Sequence, residues 1–257
     1  MTPVDLNVVD SGGDDEADIL AHAIGCDSRM WAQLIPVLAG RYRVLAIDAR
    51  GHGGSPLTPR PYTLAGLADD VARVLDRRDI RRAHWVGLSM GGMIGQAFAL
   101  GHPERLGRLV LANTTSSYGP EGRGMWEARA KAVAEGGMEA IREMVMTRYF
   151  SEAFRVAHPE VVAKTGARFL EVPAEGYMAC CDAIRDLDFT AKLKRIGART
   201  LVIAGELDAG TPVAMAEEIA RNVPDARLAV IRGAAHLSAV EKYSEFNALV
   251  RDFLTAR

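Results

Sequence analysis

The sequence has 257 residues, 49% of them hydrophobic, and its 31 basic and 33 acidic side chains leave a formal net charge of −2. A chain of this length and composition can bury the core of a single α/β domain. Because charges of both signs are interspersed and form no basic stripe, we expect no nucleic-acid partner.

The cysteines and the N-terminal residues indicate the cellular compartment of the protein. The three cysteines, Cys26, Cys180 and Cys181, fit neither a disulfide framework nor the C-x-x-C spacing of a metal site, and they predict a reducing, cytoplasmic compartment. Residues 1–18 are polar and acidic and lack the basic and apolar regions of a signal peptide, and no apolar run reaches membrane-spanning length. We therefore expect an unexported protein with no membrane partner.

Short apolar runs recur along the chain and predict strands that are buried on both faces. They are Asp18–Ala23, Tyr42–Ile47, Ala83–Leu88, Leu109–Ala112, Thr200–Ala204 and Arg227–Ile231. Between them, apolar residues at helical spacing predict an amphipathic helix over Thr63–Asp76, and Met90–Leu100 is apolar nearly all round, as in a buried helix. Strands that alternate with helices indicate a mostly parallel sheet covered by helices, in the α/β class.

The stretch between the fourth and fifth predicted strands departs from this alternation. Residues 120–188 contain helical patterns, such as Met125–Ala134 and Met138–Met146, but no strand pattern. We interpret this stretch as a helical cap inserted over the sheet, on a core made of residues 1–119 and 189–257. Since the sequence has no repeat, low-complexity tract or linker, the cap is predicted to be a subdomain rather than an independent folding unit.

A candidate nucleophile motif follows the third predicted strand, at Gly87-Leu88-Ser89-Met90-Gly91. Between a strand and an apolar helix, a G-x-S-x-G sequence is typical of a nucleophile elbow, a sharp turn that exposes the serine hydroxyl between small residues. The pattern predicts Ser89 as a nucleophile. The N-terminus of the following helix also favours negative charge that develops beside it.

A serine nucleophile needs a general base and an acid that orients the base, and after an elbow these follow in the order serine, acid, histidine. Asp208 follows the predicted strand Thr200–Ala204, and His236 follows Arg227–Ile231. Both lie in loops at the carboxyl ends of strands, where the functional groups of a parallel sheet meet. Glu206 is an alternative orienting acid, and a turn or helix cap is an alternative role for Asp208.

The transition state also needs N–H donors for its oxyanion. One predicted donor is the backbone N–H of Met90, which follows the nucleophile, and the other is that of Ile24, in the loop after the first predicted strand. We expect His22 to organise this loop and His52 to occupy a turn. Cys26 is a weaker alternative nucleophile.

Several further blocks of the sequence, together with the elbow, span nearly the whole chain. They are Met30-Trp31, residues 44–53, residues 109–114, His236-Leu237-Ser238 with Glu241, and Tyr177–Asp186. Together these blocks resemble the 3-oxoadipate enol-lactonases, a family of α/β-hydrolases of aromatic degradation. Most of them are broadly shared among α/β-hydrolases, whereas Tyr177–Asp186 is more specific and is similar to the cap signature of the family. Two features depart from the pattern: a short segment before the oxyanion loop, which predicts an abbreviated first hairpin, and His22-Ala23-Ile24-Gly25 in place of Asn-Ser-Leu-Gly.

The resemblance implies an α/β-hydrolase fold and the hydrolysis of 3-oxoadipate enol-lactone to 3-oxoadipate through an acyl-enzyme, with no metal or organic cofactor. The carboxylate of this small-molecule substrate would need a cation when it is buried. The predicted cap offers Arg123, Arg129 or Arg185, and Trp126, which matches a cap tryptophan of the family, could cover the ring. Alternatively, Arg185 pairs with a neighbouring aspartate and Trp126 belongs to the cap core.

Other functions are compatible with the same predicted triad. A general carboxylesterase, a perhydrolase and a hydrolase of C–C bonds in ring-cleavage products would all use a serine, an acid and a histidine in this order. A small-molecule receptor that retains the triad is an alternative from a different class. Rapid multiple turnover would distinguish an enzyme from such a receptor.

Overall fold

A mostly parallel sheet lies at the centre of the computed structural model, which describes residues 1–13 and 16–256. Its order is β1-β3-β2-β4-β5-β6-β7, and neighbouring strands are parallel except for β1 and β3. The strands are β1 (Val8–Asp10), β2 (Ala17–Ala21), β3 (Arg43–Ile47), β4 (Ala83–Leu88), β5 (Leu106–Ala112), β6 (Thr200–Gly205) and β7 (Ala226–Ile231).

Helices cover the sheet and extend beyond it. They are α1 (Ile35–Leu38), α2 (Leu64–Asp76), α3 (Met90–Gly101), α4 (Gly119–Gly136), α5 (Glu139–Tyr149), α6 (Glu152–Ala157), α7 (Pro159–Leu170), α8 (Ala174–Arg185), α9 (Val213–Asn222), α10 (Ser238–Glu241) and α11 (Tyr243–Thr255). Short 3₁₀ helices occupy Ser28–Trp31, Pro103–Arg105 and Thr190–Arg195. The α/β fold class and the mostly parallel sheet predicted from the sequence are confirmed.

Burial explains why the apolar runs form the inner strands. Every residue of β2, β4 and β6 is buried, so both faces of these strands are covered and no polar alternation is needed. The helix α3 is buried along almost its whole length, whereas α2 is apolar on one face and begins at Thr63, whose hydroxyl accepts from the N–H of Gly66. Each of the predicted strands is present, with ends that differ by a few residues.

The N-terminal segment, for which the sequence predicts an abbreviated hairpin, contains one strand that lies outside the predicted apolar runs. Val8–Asp10 pairs antiparallel with β3, and Val8 lies opposite Ile47. Because this three-residue strand lies at the edge of the sheet and is partly exposed, it carries no apolar run. In the described residues, this single short strand precedes β2, in keeping with the short N-terminal segment.

The five helices α4 to α8 lie in sequence between β5 and β6, with α4 packed against α8. The two ends of this insertion meet, because Ser117 and Asp188 form an antiparallel bridge and the N–H of Phe189 donates to the carbonyl oxygen of Ser116 at 2.8 Å. The chain thus leaves the core and returns to it at one place. This supports our proposal that residues 120–188 form a cap on a core of residues 1–119 and 189–257.

The carboxyl ends of the parallel strands bring distant segments of the sequence together. The loop after β2 carries Ile24, the turn after β4 carries Ser89, and the loops after β6 and β7 carry Asp208 and His236. Strands of a parallel sheet point the same way, so these four residues gather at one edge. The candidate functional site lies there, beneath the inserted helices.

Candidate active site

Ser89 occupies a strained turn between β4 and α3. Its φ of 56° lies in the left-handed region that side chains rarely adopt. The glycines on either side have no room for a side chain, since a Cβ on Gly87 would lie 2.2 Å from the carbonyl oxygen of Gly91, and one on Gly91 would lie 2.0 Å from that of Ala21. The G-x-S-x-G pattern therefore follows from close packing of α3 against β2 and β4.

The first turn of α3 is joined to the loop after β2. The N–H of Gly91 donates to the carbonyl oxygen of His22 at 3.0 Å. Met90 is the first residue of α3, where backbone N–H groups have no partner within a helix. Among the described residues, no protein acceptor bonds the N–H of Met90 or that of Ile24. Both N–H groups are free to stabilise a negative oxygen near Ser89.

Asp208 and His236 form a buried pair. The Nδ1 atom of His236 lies 2.8 Å from Oδ2 of Asp208, and the same carboxylate accepts from the side chains of Asn113 and Thr211 at 2.9 and 2.7 Å and from the backbone N–H groups of Gly210 and Thr211 at 2.8 and 3.0 Å. Burial alone would raise the pKa of Asp208, but the positive charge and hydrogen bond of His236, together with the other donors, hold it at about 2. An ionised Asp208 can orient His236 and stabilise its imidazolium form.

Glu206, the alternative acid, is placed differently. Its side chain is exposed, and its Oε2 atom accepts from the backbone N–H of Gly233 at 2.8 Å. The described hydrogen bonds and ion pairs of His236 include Asp208 and not Glu206. The geometry therefore favours Asp208 as the orienting acid.

A small cavity of about 20 Å³ brings Ser89 and His236 together beneath the inserted helices. This volume is close to that of a single water, so the described conformation is a closed one. The residues that line the cavity are Ile24, Ser89, Tyr118, Met125, Trp126, Arg129, Arg148, Tyr149, Gly210 and His236. Ile24, Trp126 and Arg129, predicted from the sequence as site residues, thus share one cavity with the candidate nucleophile and base.

Arg129 lies inside this cavity on an aromatic support. Its guanidinium carbon is 5.0 Å from the centre of the Trp126 ring and 5.5 Å from that of Tyr177, and its buried Nε atom has no hydrogen-bond partner among the described residues. Trp126 is itself buried, and its ring meets that of Tyr118 edge to face at 5.7 Å between centres. The cation is held by ring contacts rather than by an acid.

Arg123 and Arg185 do not line this cavity. The guanidinium of Arg123 is exposed and lies 2.9 Å from Asp186, and that of Arg185 pairs with Asp186 at 2.9 Å and with Asp182 at 3.5 Å. Their charges are already met by aspartates on or beside α8. Of the three arginines that the sequence offered for the substrate carboxylate, the structure brings only Arg129 to Ser89.

The sequence did not single out three of the polar residues of the cavity, Tyr118, Arg148 and Tyr149. Arg148 contacts the sulfur of Met125 at 3.9 Å, and no acidic side chain pairs with it among the described residues. Tyr149 stacks on His236, with ring centres 5.9 Å apart and planes inclined by 22°. The only sequence signal for them was their place in or next to the predicted cap, which does not tell which helical face turns inward.

The histidines near the oxyanion loop are buried and neutral. The Nε2 atom of His52 accepts from the N–H of Gly25 at 3.0 Å, and that of His22 accepts from the N–H of Ala49 at 2.9 Å. Burial lowers the pKa of both, that of His52 to about 3. Both histidines therefore organise backbone, as expected for His22, whereas His52 does more than occupy a turn.

Cys26 is buried beside this loop, and burial raises the pKa of its thiol to about 12. A thiol that remains protonated is a poor nucleophile, which disfavours the alternative to Ser89.

Across residues 1–13 and 16–256, no cluster of His, Cys, Asp and Glu has the composition of a metal site. In the same residues, no helix combines the length and apolar character needed to cross a bilayer.

Known proteins share this architecture. Residues 19–243 match the family model of the alpha/beta hydrolase fold. The chain is 37% identical to 3-oxoadipate enol-lactonase 2 of Acinetobacter baylyi, over 96% of this chain and 92% of that protein. It superimposes on the crystal structure of the enol-lactonase from Burkholderia xenovorans with a TM-score of 0.93 at 35% identity, covering 97% of this chain and 96% of the other. A putative carbamate hydrolase, RutD of Variovorax paradoxus, is 32% identical over 94% of this chain and 92% of its own.

Proposed function

Because this chain belongs to the 3-oxoadipate enol-lactonase family of the α/β-hydrolases, we propose that it hydrolyses 3-oxoadipate enol-lactone to 3-oxoadipate by serine catalysis. The membership makes it a carboxylic ester hydrolase. The particular lactone and the roles of individual residues are our proposal, and they rest on the geometry of the cavity that contains Ser89 and His236.

In the proposed reaction, the hydroxyl oxygen of Ser89 attacks the lactone carbonyl while His236 accepts the hydroxyl proton. The negative oxygen that develops is stabilised by the N–H groups of Ile24 and Met90. Collapse of this intermediate breaks the ring C–O bond while His236 returns its proton to the leaving oxygen, which leaves an acyl-enzyme whose enol tautomerises to a ketone. Neutral His236 then takes a proton from the water that attacks the acyl carbon, and it passes this proton to Ser89 as the acyl bond breaks and the second carboxylate group of the product is released. Asp208 keeps the imidazole oriented throughout.

The choice of substrate rests on one observation: two arginine side chains in the cavity have no acidic partner among the described residues. Arg129 and Arg148 both line the cavity with Ser89, and neither is paired with a carboxylate among the described residues. A partly buried charge without a partner is costly, and an anionic substrate would compensate both. The carboxylate of the enol-lactone can accept from one guanidinium or from both, and Trp126 can lie against the flat ring.

A neutral ester would leave these two cations unmatched. This distinguishes the proposal from the general carboxylesterase. The other serine hydrolases considered from the sequence, a perhydrolase and a C–C bond hydrolase, share the triad, so the substrate charge is the feature to test.

The test compares a charged lactone with a neutral ester. We expect Arg129→Gln and Arg148→Gln to lower kcat/KM for 3-oxoadipate enol-lactone by on the order of 10²-fold while sparing p-nitrophenyl acetate, as expected when a bound carboxylate loses its partner. Arg123→Gln and Arg185→Gln are matched controls, because they remove the same charge outside the cavity. An unchanged ratio of charged to neutral activity in both cavity variants would favour a general esterase.

A further inference from the structure

The predicted oxyanion donor, the N–H of Ile24, lies in the first peptide of a tight turn. The N–H of Cys26 donates to the carbonyl oxygen of Ala23 at 3.0 Å, and Gly25 has a φ of 75°, so residues 23–26 have the features of a type II turn. Ile24 is the second residue of this turn. With glycine in the third position, rotation of the central peptide between Ile24 and Gly25 meets little steric resistance.

Two hydrogen bonds fix this central peptide at its opposite ends. The hydroxyl of Tyr149 donates to the carbonyl oxygen of Ile24, and the N–H of Gly25 donates to Nε2 of His52 at 3.0 Å. His52 belongs to the core, whereas Tyr149 is the last residue of α5 in the inserted segment. A peptide held from both sides cannot rotate without breaking both bonds.

Tyr149 also touches the other half of the catalytic machinery. Its ring stacks on His236 at 5.9 Å, and its backbone carbonyl oxygen accepts from the N–H of Leu237 at 2.9 Å. Burial raises the pKa of its hydroxyl, which keeps that group protonated as a donor. One residue of the inserted helices is therefore in contact with the oxyanion loop and with the segment of the general base.

We propose that Tyr149 is a positioning residue: when α5 is docked on the core, its hydroxyl anchors the carbonyl group of Ile24 and so holds in place the residue whose own N–H, in the preceding peptide, is the proposed oxyanion donor. This inference rests on the proposed serine mechanism and adds to it a residue that positions one of the oxyanion donors. An enzyme whose inserted helices move to admit substrate would then complete its oxyanion site as they return, which ties catalysis to closure.

Tyr149→Phe tests this proposal, because it removes the hydroxyl and keeps both the ring stacked on His236 and the backbone carbonyl. With p-nitrophenyl acetate as substrate, we expect kcat to fall by about 10- to 100-fold, somewhat less than when an oxyanion donor is deleted outright, and KM to stay unchanged. The affinity for phenylboronic acid, whose tetrahedral adduct on a serine mimics the transition state, should fall by a similar factor. The pH dependence of kcat/KM should keep its midpoint, since the contacts of His236 are retained.

Tyr42→Phe is the matched control. Tyr42 is also buried and donates its hydroxyl to a backbone carbonyl, that of Leu254 at 2.9 Å, but it lies outside the cavity. We expect a similar loss of thermal stability with kcat close to that of the wild type. A folded Tyr149→Phe enzyme with the kcat and boronate affinity of Tyr42→Phe would overturn the proposal. Hydrolysis that persisted in Ser89→Ala would instead contradict the serine mechanism itself, so the two failures are distinguishable.

Discussion

Replacing Asp208 by asparagine tests the orienting acid directly. The carboxylate accepts five hydrogen bonds, one of them from His236 at 2.8 Å, whereas an amide has one oxygen to offer and presents an NH₂ group in place of the other. The required tautomer of His236 loses its acceptor, and no negative charge remains to stabilise the imidazolium. We expect kcat to fall by about 10⁴-fold, the scale of this substitution in serine proteases.

The same substitution should alter the dependence of stability on pH. The pKa of Asp208 is lowered from 3.8 to about 2, a difference that corresponds to about 2 kcal/mol of folding free energy. Because the folded-state pKa is the lower one, this contribution is complete above about pH 4 and is lost as the pH falls toward 2. Denaturant unfolding between these pH values should therefore show a steeper loss of stability in the wild type than in Asp208→Asn.

Glu206→Gln supplies the control for this experiment. Glu206 is exposed and bonded to the N–H of Gly233, so its neutralisation should change kcat little. Activity would be measured on p-nitrophenyl acetate and on the enol-lactone, with circular dichroism as a check of folding. A severe loss in Glu206→Gln beside a mild loss in Asp208→Asn would refute the reasoning and transfer the orienting role to Glu206.

Two further predictions concern the nucleophile and the core. Ser89→Ala should keep the fold and lower kcat by about 10⁴- to 10⁶-fold in a steady-state assay, and near-normal turnover would exclude Ser89 as nucleophile. Asp18 has no hydrogen-bond partner for either carboxylate oxygen among the described residues, and burial, aided by the charge of Glu16, raises its pKa to about 8. Stability from protonated Asp18 is complete below about pH 4 and is lost as the pH rises through 8. The melting temperature of Asp18→Asn should therefore rise relative to that of the wild type as the pH increases over this range. A difference in melting temperature that stays constant with pH would contradict the raised pKa of Asp18.

The inner sheet was predictable because its physical determinants are local. Strands covered on both faces are continuous apolar runs, and the elbow has a short sequence pattern of its own. Gly87 is required by a contact with nearby Gly91, although Gly91 itself is required by a contact with Ala21 of β2. The edge strand Val8–Asp10 lies outside the predicted apolar runs, since its pairing depends on backbone bonds to β3 and not on side-chain pattern. The helix α4 begins earlier than predicted, at Gly119, because glycines and a proline in its first turns conceal a helical pattern.

The substrate side of the site was less predictable, since it depends on how the inserted helices face the core. Arg123 and Arg129 lie within two helical turns of each other in α4, yet one is paired with Asp186 on the outside and the other lies against Trp126 in the cavity. Sequence spacing does not encode which face packs inward when both faces carry polar residues. Arg148 and Tyr149 were missed for the same reason.

The ends of the inserted segment meet at Ser117 and Asp188, and this affects how well the fold tolerates insertions and deletions in that segment. The strands β5 and β6 are neighbours in the sheet, so their pairing closes a loop that contains all of the inserted helices. Loop-closure entropy grows only slowly with length, by about 0.6 kcal/mol for each doubling. Evolution can therefore lengthen, shorten or replace the insertion at small cost to the folding of the sheet. New substrate preferences can arise in this way on an unchanged catalytic apparatus.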